Sequence, residues 1–476
     1  MNLQNKQILL FVFLAGFCSM LVEIAGARLI SSYLGNTIYT WAATIALVLT
    51  ALSIGYYWGG SYADRSKDQK NFAQLFFFAC IATLLVPALG NILIPVTVFL
   101  PLMIASIIAA LVLIPAGVCF GAIPPYAIKL LSEKDKEGEI AGEIFAVSTV
   151  GSITGALGTG FILIPNLNLT HVFILGSLLM LGVFAFFGKI KRPHIFNIFL
   201  VSAMLLFSQF SVGAFFPNAK ILYEKDDLYY NIKVVQMDYK GQPIKVLFLD
   251  SAASSGETLD GKPAFEYVKS GEIAYQLVDA KSALLLGVAG GTQVEQIKSY
   301  YPKASVDGVD IDPNLAEIAQ RYFSLKLDNR TNISTNDARI FVQTTNKKYD
   351  LIIMDTFRGV SMPPHLVTNE YFSSLKKRIN PNGVLLLNVI SAIEGDKSNR
   401  INYMYNTISN NFENVILLPL DENQNKSNSQ NILVIASDAD IRSFKQKYKD
   451  RIYSGSIPKT ELLTDEKNPS ELFVWR

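Results

Sequence analysis

Cysteine, histidine and charge are all scarce in this sequence. It has three cysteines and three histidines among 476 residues, and none of them shows the spacing of a metal site or of a redox-active CxxC pair. Charged residues make up 17% of the chain, and the formal net charge is +2. Blocks of like charge and basic stripes are absent, so the chain lacks the charge pattern of a nucleic-acid-binding protein. The sequence therefore predicts neither a metal centre nor a nucleic-acid partner.

Long apolar runs, in contrast, fill the first half of the chain. A bilayer core is crossed by about 20 apolar residues. We therefore predict a transmembrane domain over residues 1–216 with about seven helices, in residues 8–30, 39–62, 72–91, 95–128, 141–164, 170–188 and 194–216. The fourth run is too long for one straight crossing, and its prolines are expected to kink or split it. The predicted partner of this half is a lipid bilayer.

The loops between these runs differ in charge. Lysine and arginine follow the second, fourth and sixth runs, whereas residues 31–38, 91–95 and 165–169 contain neither. Positive loops stay in the cytoplasm, so the N-terminus is predicted to be cytoplasmic. A seventh crossing would then place the rest of the chain outside the cell. Either 194–216 does not fully cross, or another run is miscounted, or the second half faces outward.

Two features of the apolar half have a structural and a functional interpretation. Gly151, Gly155 and Gly158 form a stripe that favours close helix packing. Glu23 and Arg28 are charges within or near the end of the first run, where charge is expensive. For these two charges, a structural ion pair, or an Arg28 that extends to the membrane–water interface, is the alternative to a transport or substrate site.

The second half has the patterns of a soluble α/β protein. Residues 230–237 and 245–250 alternate around Gly241, which predicts a β-hairpin within a small β-rich region, 217–281. From residue 282, short apolar segments (283–286, 304–309, 349–354 and 383–389) alternate with helical patterns (294–301 and 314–323). This alternation predicts a doubly wound parallel sheet over residues 282–476.

A glycine-rich turn follows the first of these strands. Gly287, Gly290 and Gly291 would let a ligand approach the backbone, and the next helix points its N–H groups at the same place. Asp310 ends the next strand, where a carboxylate can bind a ribose diol. The turn lacks the G-x-G-x-x-G spacing, which disfavours a dinucleotide. A merely structural turn is the alternative.

Two further acidic positions belong to the same predicted crevice. Asp355 ends the strand YDLIIM and would point at the carboxyl edge of the sheet, where it could accept a proton or hold an amine charge. Asp337, followed by Ala338, could accept a hydrogen bond from an adenine amino group. A helix cap or a solvated loop position is the alternative for each aspartate.

These residues lie in stretches that resemble the polyamine aminopropyltransferase (spermidine synthase) family, and in particular its bacterial membrane-fused branch. The matching stretches include FLAGFCSMLVEIAGARLISSYLG, GEIFAVSTVGSITGALGTGFILIP, LLLGVAGGTQVEQI, VDGVDIDPNLAEIAQRYF and YDLIIMDTFRGVSMPPHLVTNEYF. The resemblance implies a Rossmann-like fold of the S-adenosylmethionine methyltransferase type and a place in the bacterial inner membrane. It also implies aminopropyl transfer from decarboxylated S-adenosylmethionine to a small amine acceptor. Asp310 matches the family's ribose-binding acid, Asp337 its adenine-contacting acid and Asp355 its proton-accepting acid.

The polyamine side of the pocket departs from the family pattern. Arg358 stands where soluble members have a second carboxylate, and the glycine turn carries no aspartate. Glu272 is retained in the sequence SGE, where the family has YHE. Glu272 and Arg358 are therefore candidate acceptor-binding residues, and Arg358 could pair with the carboxylate of intact S-adenosylmethionine. Another S-adenosylmethionine-dependent transferase, or a transporter or sensor with a nucleoside-binding domain, stays open, as does a homodimer.

Overall fold

The computed structural model describes residues 3–97, 100–132, 136–187, 219–227, 229–356, 362–420 and 426–473. These residues divide into two compact units. The first unit contains the described residues before 188 together with the segment Lys225–Tyr230. The second unit contains residues 219–224 and the described residues from Asn231 onward.

Among the described residues of the first unit, six helical stretches are long and apolar enough to cross a membrane. The first three stretches are single helices, α1 (Leu3–Leu34), α2 (Ile38–Arg65) and α3 (Gln69–Thr97). The fourth consists of α4 (Leu102–Ala110), a 3-10 turn (Leu111–Leu113) and α5 (Ile114–Leu131). The fifth stretch is α6 (Glu137–Gly158), a π-helical turn (Thr159–Leu163) and α7 (Ile164–Asn166); the sixth is α8 (Leu169–Phe187). The predicted seventh run, 194–216, lies outside the described residues.

The predicted boundary between the third and fourth runs was wrong. Pro95 and Thr97 belong to α3, which contains Pro87 and Pro95 within its length, and the next helix begins at Leu102. Apolar character alone does not separate two adjacent spans, so the sequence pattern assigned these residues to the later helix.

Glycines let the helices of the first unit pack backbone to backbone. At Gly151 and Gly155 of α6, an added Cβ atom would lie 2.2 and 2.3 Å from the carbonyl oxygens of Phe13 and Phe17 in α1. No side chain fits at such distances. The predicted packing role of the Gly151–Gly155 stripe is confirmed, because only small residues permit this approach.

Arg28, near the end of α1, makes its hydrogen bonds within the first unit. Its guanidinium donates to the backbone carbonyls of Asp227 and Tyr229, at 3.0 and 3.1 Å. Both acceptors belong to the segment Lys225–Tyr230. Arg28 therefore anchors this segment to the helices, which is a structural use of its charge.

A four-stranded sheet begins the second half, in the order β1 (Lys220–Asp226), β2 (Asn231–Tyr239), β3 (Gln242–Leu249) and β4 (Ala252–Thr258). Strand β3 is antiparallel to both β2 and β4. Tyr239 pairs with Gln242 across a two-residue turn. Lys240 and Gly241 in that turn both have positive φ, 53° and 78°, as a type I′ hairpin requires. The predicted hairpin is confirmed, whereas β1 and β4, which have weaker apolar alternation, were not predicted.

The larger sheet has seven strands in the order β10-β11-β9-β8-β5-β6-β7. Its members are β5 (Ser282–Leu286), β6 (Ser305–Asp310), β7 (Thr331–Thr335), β8 (Tyr349–Met354), β9 (Ile379–Ser391), β10 (Asn414–Pro419) and β11 (Gln430–Ser437). Strands β7, β6, β5, β8 and β9 are parallel, but β11 runs antiparallel to β9 and to β10. The sheet is therefore mixed. The predicted parallel arrangement is confirmed for the first five of these strands and was wrong at the edge formed by β10 and β11.

Helix α9 (Glu266–Tyr275) precedes β5. The helices after β5 are α10 (Thr292–Tyr300), α11 (Leu315–Tyr322), α12 (Ala338–Thr344), α13 (Asn369–Lys376), α14 (Asn399–Ser409) and α15 (Arg442–Lys447). Alternate residues of the central strands enter two different hydrophobic clusters. Leu284 and Ile352 belong to one cluster, and Leu285 and Ile353 belong to the other. Burial on both faces explains why these strands are continuous apolar runs.

Candidate active site

The central strand β5 has β6 on one side and β8 on the other. The chain therefore reverses its direction of progress across the sheet at β5, and ligands of open α/β sheets bind in the crevice at such a point, beyond the carboxyl ends of the strands. Gly287, Asp310 and Asp355 all lie at this edge, at or just after the ends of β5, β6 and β8. The structure thus brings these three predicted residues together.

Gly287 is required by the protein's own packing. Its φ is +90°, and an added Cβ would lie 2.2 Å from the carbonyl oxygen of Asp355. At Gly290 and Gly291 the nearest atoms to such a Cβ belong to Ser255 and Leu325, at 2.7 and 2.9 Å. The glycines were predicted to leave room for a ligand. In the structure the missing side chains make room for the Asp355 carbonyl, Ser255 and Leu325, so the turn packs directly against Asp355.

Asp310 holds the glycine-rich turn in place. Its Oδ2 accepts hydrogen bonds from the backbone N–H groups of Val288 and Ala289, at 2.8 and 3.0 Å. Its Oδ1 accepts from Asp312 N at 3.2 Å. Burial raises the pKa of Asp310, although these backbone donors favour its ionised form. The carboxylate is therefore a fixed negative group beside the turn.

Three neutral polar side chains surround Asp355. Its Oδ2 accepts from the Gln293 side-chain amide at 2.6 Å, and its Oδ1 accepts from the Asn388 amide at 3.3 Å. The Tyr267 hydroxyl is a third side-chain partner, and it also lies 3.2 Å from the Ser254 carbonyl oxygen. Burial raises the pKa of Asp355 to about 6, although all three neutral partners favour the carboxylate. Such a group can accept a proton near neutral pH.

The strand register explains how Asn388 reaches Asp355. Met354 of β8 pairs with Leu387 of β9, so the next residue on each strand lies at the same edge. Asn388 is itself fixed, because its Oδ1 accepts a 2.8 Å hydrogen bond from the Asn431 amide on β11. A chain of side-chain hydrogen bonds thus runs from Gln293 through Asp355 to the antiparallel edge of the sheet.

Asp337 caps a helix. Its Oδ1 accepts from the backbone N–H groups of Arg339 and Ile340, at 2.8 and 3.0 Å, at the start of α12. Its Oδ2 lies 3.0 Å from His365 Nε2. Burial acts to raise the pKa of Asp337, but the bonds from Ile340 N–H and His365 outweigh it and hold the pKa below its usual value. Ala338, the first residue of α12, is buried.

The two predicted acceptor-binding residues have different positions. Glu272 is an exposed residue of α9, and it accepts a 3.1 Å hydrogen bond from the Gln296 amide on α10. Gln296 lies one helical turn after Gln293 on the same helix. Arg358 lies outside the described residues. The acceptor-binding role of both residues stays a prediction.

Four polar residues of the site were not predicted. Gln293, Asn388 and Tyr267 surround Asp355, and His365 contacts Asp337. Asn388 carried a signal, since it is an amide in the otherwise apolar run GVLLLNV of a doubly buried strand. Gln293 directly follows the glycine-rich turn. Tyr267 and His365 reach the site from distant parts of the sequence, and no local pattern distinguishes them.

Comparison with known proteins identifies relatives of both halves. Residues 270–418 match the model of the spermine/spermidine synthase domain. The polyamine aminopropyltransferase of Vibrio vulnificus is 31% identical over 211 residues, which are 41% of this chain and 67% of that protein. Polyamine aminopropyltransferase 2 of Aquifex aeolicus is 22% identical over 398 residues, 79% of this chain and 78% of that protein. The Aquifex match extends over more residues than follow Phe216, so it includes part of the apolar half.

A solved structure of similar type is a probable spermidine synthase from Corynebacterium glutamicum. It is 19% identical in sequence, with a TM-score of 0.43, and the similarity covers 51% of this chain and 89% of that one.

Proposed function

Because the chain belongs to the polyamine aminopropyltransferase family and is a transferase, we propose that it transfers the aminopropyl group of decarboxylated S-adenosylmethionine to a small amine and releases methylthioadenosine. One observation carries this proposal. A buried carboxylate, Asp355, ends strand β8 beside the glycine-rich turn, and its pKa of about 6 suits a proton acceptor.

The reaction needs one bond to form and one to break. The neutral amine nitrogen attacks the aminopropyl methylene carbon that is bonded to the sulfonium sulfur, this carbon–sulfur bond breaks, and its electron pair stays on the sulfur of methylthioadenosine. The new ammonium group must lose a proton, which Asp355 receives. The Gln293, Asn388 and Tyr267 contacts orient the carboxylate for this transfer.

The charge of the crevice supports a cationic cosubstrate. Burial raises the pKa of both Asp310 and Asp355. A buried negative charge is stabilised when a positive ligand lies beside it. The sulfonium and amine of decarboxylated S-adenosylmethionine provide such charges. We assign Asp310 to the ribose, Asp337 with Ala338 to the adenine, and the Gly287–Gly291 turn to the same nucleoside.

The reaction is tested by incubating the purified full-length chain with decarboxylated S-adenosylmethionine and a series of diamines and monoamines. Methylthioadenosine formation should depend on both substrates, and Asp355→Asn should reduce turnover strongly while nucleoside binding is kept. If no amine yields methylthioadenosine, aminopropyl transfer is wrong. Binding of intact rather than decarboxylated S-adenosylmethionine would then favour a different transferase, the alternative that Arg358 motivates.

The six apolar helices support a location in the bacterial inner membrane, with the lipid bilayer as a partner. Fractionation of intact cells tests this, since the chain should remain with the membrane after a high-salt wash. A homodimer also stays a prediction, and light scattering of the purified chain in detergent would measure its mass.

A further inference from the structure

A segment near the end of the chain packs against the elements around Asp337. This C-terminal segment, residues 463–468, begins at Leu463, which is fully buried. The backbone N–H of Leu463 donates to Thr407 Oγ1 on α14 at 3.0 Å. Its carbonyl oxygen accepts from the backbone N–H of Asn369, at the start of α13, at 2.7 Å. Two helices therefore fix the place of the C-terminal segment.

Arg339 joins the C-terminal segment to α12. Its guanidinium donates to both carboxylate oxygens of Asp465, with 2.7 Å to Oδ1. The same guanidinium donates to the His365 carbonyl oxygen at 2.9 Å and to Thr368 Oγ1 at 3.4 Å. Hydrogen bonding from Arg339 holds the pKa of Asp465 below its usual value, so the pair is ionised at neutral pH.

This ion pair differs from an isolated surface pair, which contributes little to stability. The Arg339 side chain is only 17% exposed, and its contact with Asp465 is bidentate, which fixes the relative orientation of the two groups. Its further bonds to His365 and Thr368 make it the centre of a network. The pair therefore fixes geometry as well as adding attraction.

The parts of the chain that Arg339 joins are those that hold the Asp337 carboxylate. Asp337 Oδ1 accepts from two backbone N–H groups at the start of α12, and Oδ2 lies 3.0 Å from His365 Nε2. Asn468 of the C-terminal segment donates to the carbonyl oxygen of Pro364, the residue before His365, at 2.7 Å. The C-terminal segment thus contacts both supports of Asp337.

We propose that Arg339 and Asp465 are positioning residues of the nucleoside site, and that their ion pair holds Asp337 in the orientation that recognises the adenine amino group. This inference rests on the proposed function, because it takes Asp337 as the adenine contact. Both residues act through Asp337. A hydrogen bond weakens steeply when its distance or angle is wrong, so loss of the pair should weaken selection of the amino group more than nucleoside binding as a whole.

The experiment measures by calorimetry how the full-length chain in detergent binds methylthioadenosine and methylthioinosine, which has a carbonyl in place of the amino group. Wild type should bind methylthioadenosine roughly tenfold more tightly, because a carboxylate accepts a strong hydrogen bond from the amino group. Asp465→Ala should reduce this preference to roughly threefold or less, through weaker binding of methylthioadenosine.

Glu461→Ala is the matched control. It removes a carboxylate just before the C-terminal segment, from an exposed ion pair with Lys467, and should keep the wild-type preference. Arg339→Gln should lower the preference at least as far as Asp465→Ala, because it also removes the donors to His365 and Thr368. If the melting profile shows that Asp465→Ala does not fold, Asp465→Asn, which keeps the size of the side chain, is used with the same expectation.

An unchanged preference in folded Asp465→Ala or Arg339→Gln overturns the proposal. Equal weakening of both nucleosides also overturns it, since that result shows a merely structural role. If wild type binds neither nucleoside, the proposed function fails together with this inference. If wild type binds both equally, Asp337 is not the adenine contact and the inference fails, whereas methylthioadenosine release in the transfer assay would still support the proposed reaction.

Discussion

The side-chain amide of Gln293 donates a 2.6 Å hydrogen bond to Asp355 Oδ2. Gln293 is the second residue of α10, which directly follows the glycine-rich turn, and Asp355 directly follows β8. The hydrogen bond therefore connects the start of α10 to the end of β8. An amide donor stabilises the carboxylate but adds no charge. The pKa of Asp355 is therefore about 6 and is not strongly lowered, so the carboxylate can still accept a proton.

We predict that turnover depends on an ionised Asp355. The maximal rate should fall as pH decreases through about 6, because the protonated acid cannot accept the amine proton. The rate above pH 7 should be level with respect to this group. Initial rates with saturating cosubstrate, measured from pH 5 to pH 8, check this. Asp355→Asn should reduce turnover by roughly 10²–10⁴-fold, and a variant as active as wild type would show that another group takes the proton.

In Gln293→Leu, the fall of the rate at low pH should begin at a higher pH than in wild type. Removing a hydrogen bond to the ionised form raises the pKa of Asp355, by roughly one unit for a charge-assisted bond. Asn388→Leu is the internal comparison: its bond to Asp355 is longer, 3.3 Å, and we expect a smaller shift. Identical profiles for wild type and both variants would mean that neither amide tunes the carboxylate.

The central strands were predictable because burial on both faces leaves a continuous apolar segment. Strand β8 was predicted at its observed bounds, Tyr349–Met354. The predicted bounds of β5 and β6 differ from the observed ones by at most one residue. The edge strands were harder. Strands β10 and β11 form an antiparallel pair whose position depends on contact with β9, which the local sequence does not encode.

The acids of the site were predictable, but their immediate partners were not. Asp310 and Asp355 lie at strand ends, and the position of a strand end follows from the apolar pattern. Tyr267 and His365 come from α9 and from the segment after β8, so their approach depends on tertiary packing. Asp337 is a helix cap, which was the structural alternative for it, because its Oδ1 accepts from the start of α12. Its contact with adenine stays a prediction.

Gly287→Ala should destabilise the chain and misplace Asp355. The new Cβ would meet the Asp355 carbonyl oxygen at 2.2 Å, and alanine is strained at a φ of +90°. Together these effects should cost about 2–5 kcal/mol. Gly241→Ala is the matched control, because it has a φ of +78° but no atom within 4 Å of the added Cβ. It should cost only about 1 kcal/mol. Thermal unfolding in detergent compares the two, and equal shifts would exclude a role for the clash.

Gly155→Ala tests the packing of α1 against α6. The Cβ would lie 2.3 Å from the Phe17 carbonyl oxygen, so the helices must separate. Gly142→Ala, in the same helix, adds a Cβ with nothing within 4 Å and should be neutral or slightly stabilising. Size-exclusion profiles and melting in detergent should show loss of monodisperse protein for Gly155→Ala alone. A normal profile for that variant would contradict the close approach.

Fusions after residue 192 and at the C-terminus test on which side of the membrane the second half lies. Among the described residues, six helical stretches can cross a membrane, and the charged loops assign the side where α1 begins to the cytoplasm. Arg28, near the other end of α1, donates to the carbonyls of Asp227 and Tyr229, and Asp226 accepts from the backbone N–H of Leu169 at the start of α8. These contacts place the segment Lys225–Tyr230 on the non-cytoplasmic side, as the seventh crossing predicted from the sequence requires. An alkaline phosphatase fusion at the C-terminus should therefore be active, and one after residue 192 should be inactive. A bright fluorescent-protein fusion at the C-terminus would show an even number of crossings and would contradict this prediction.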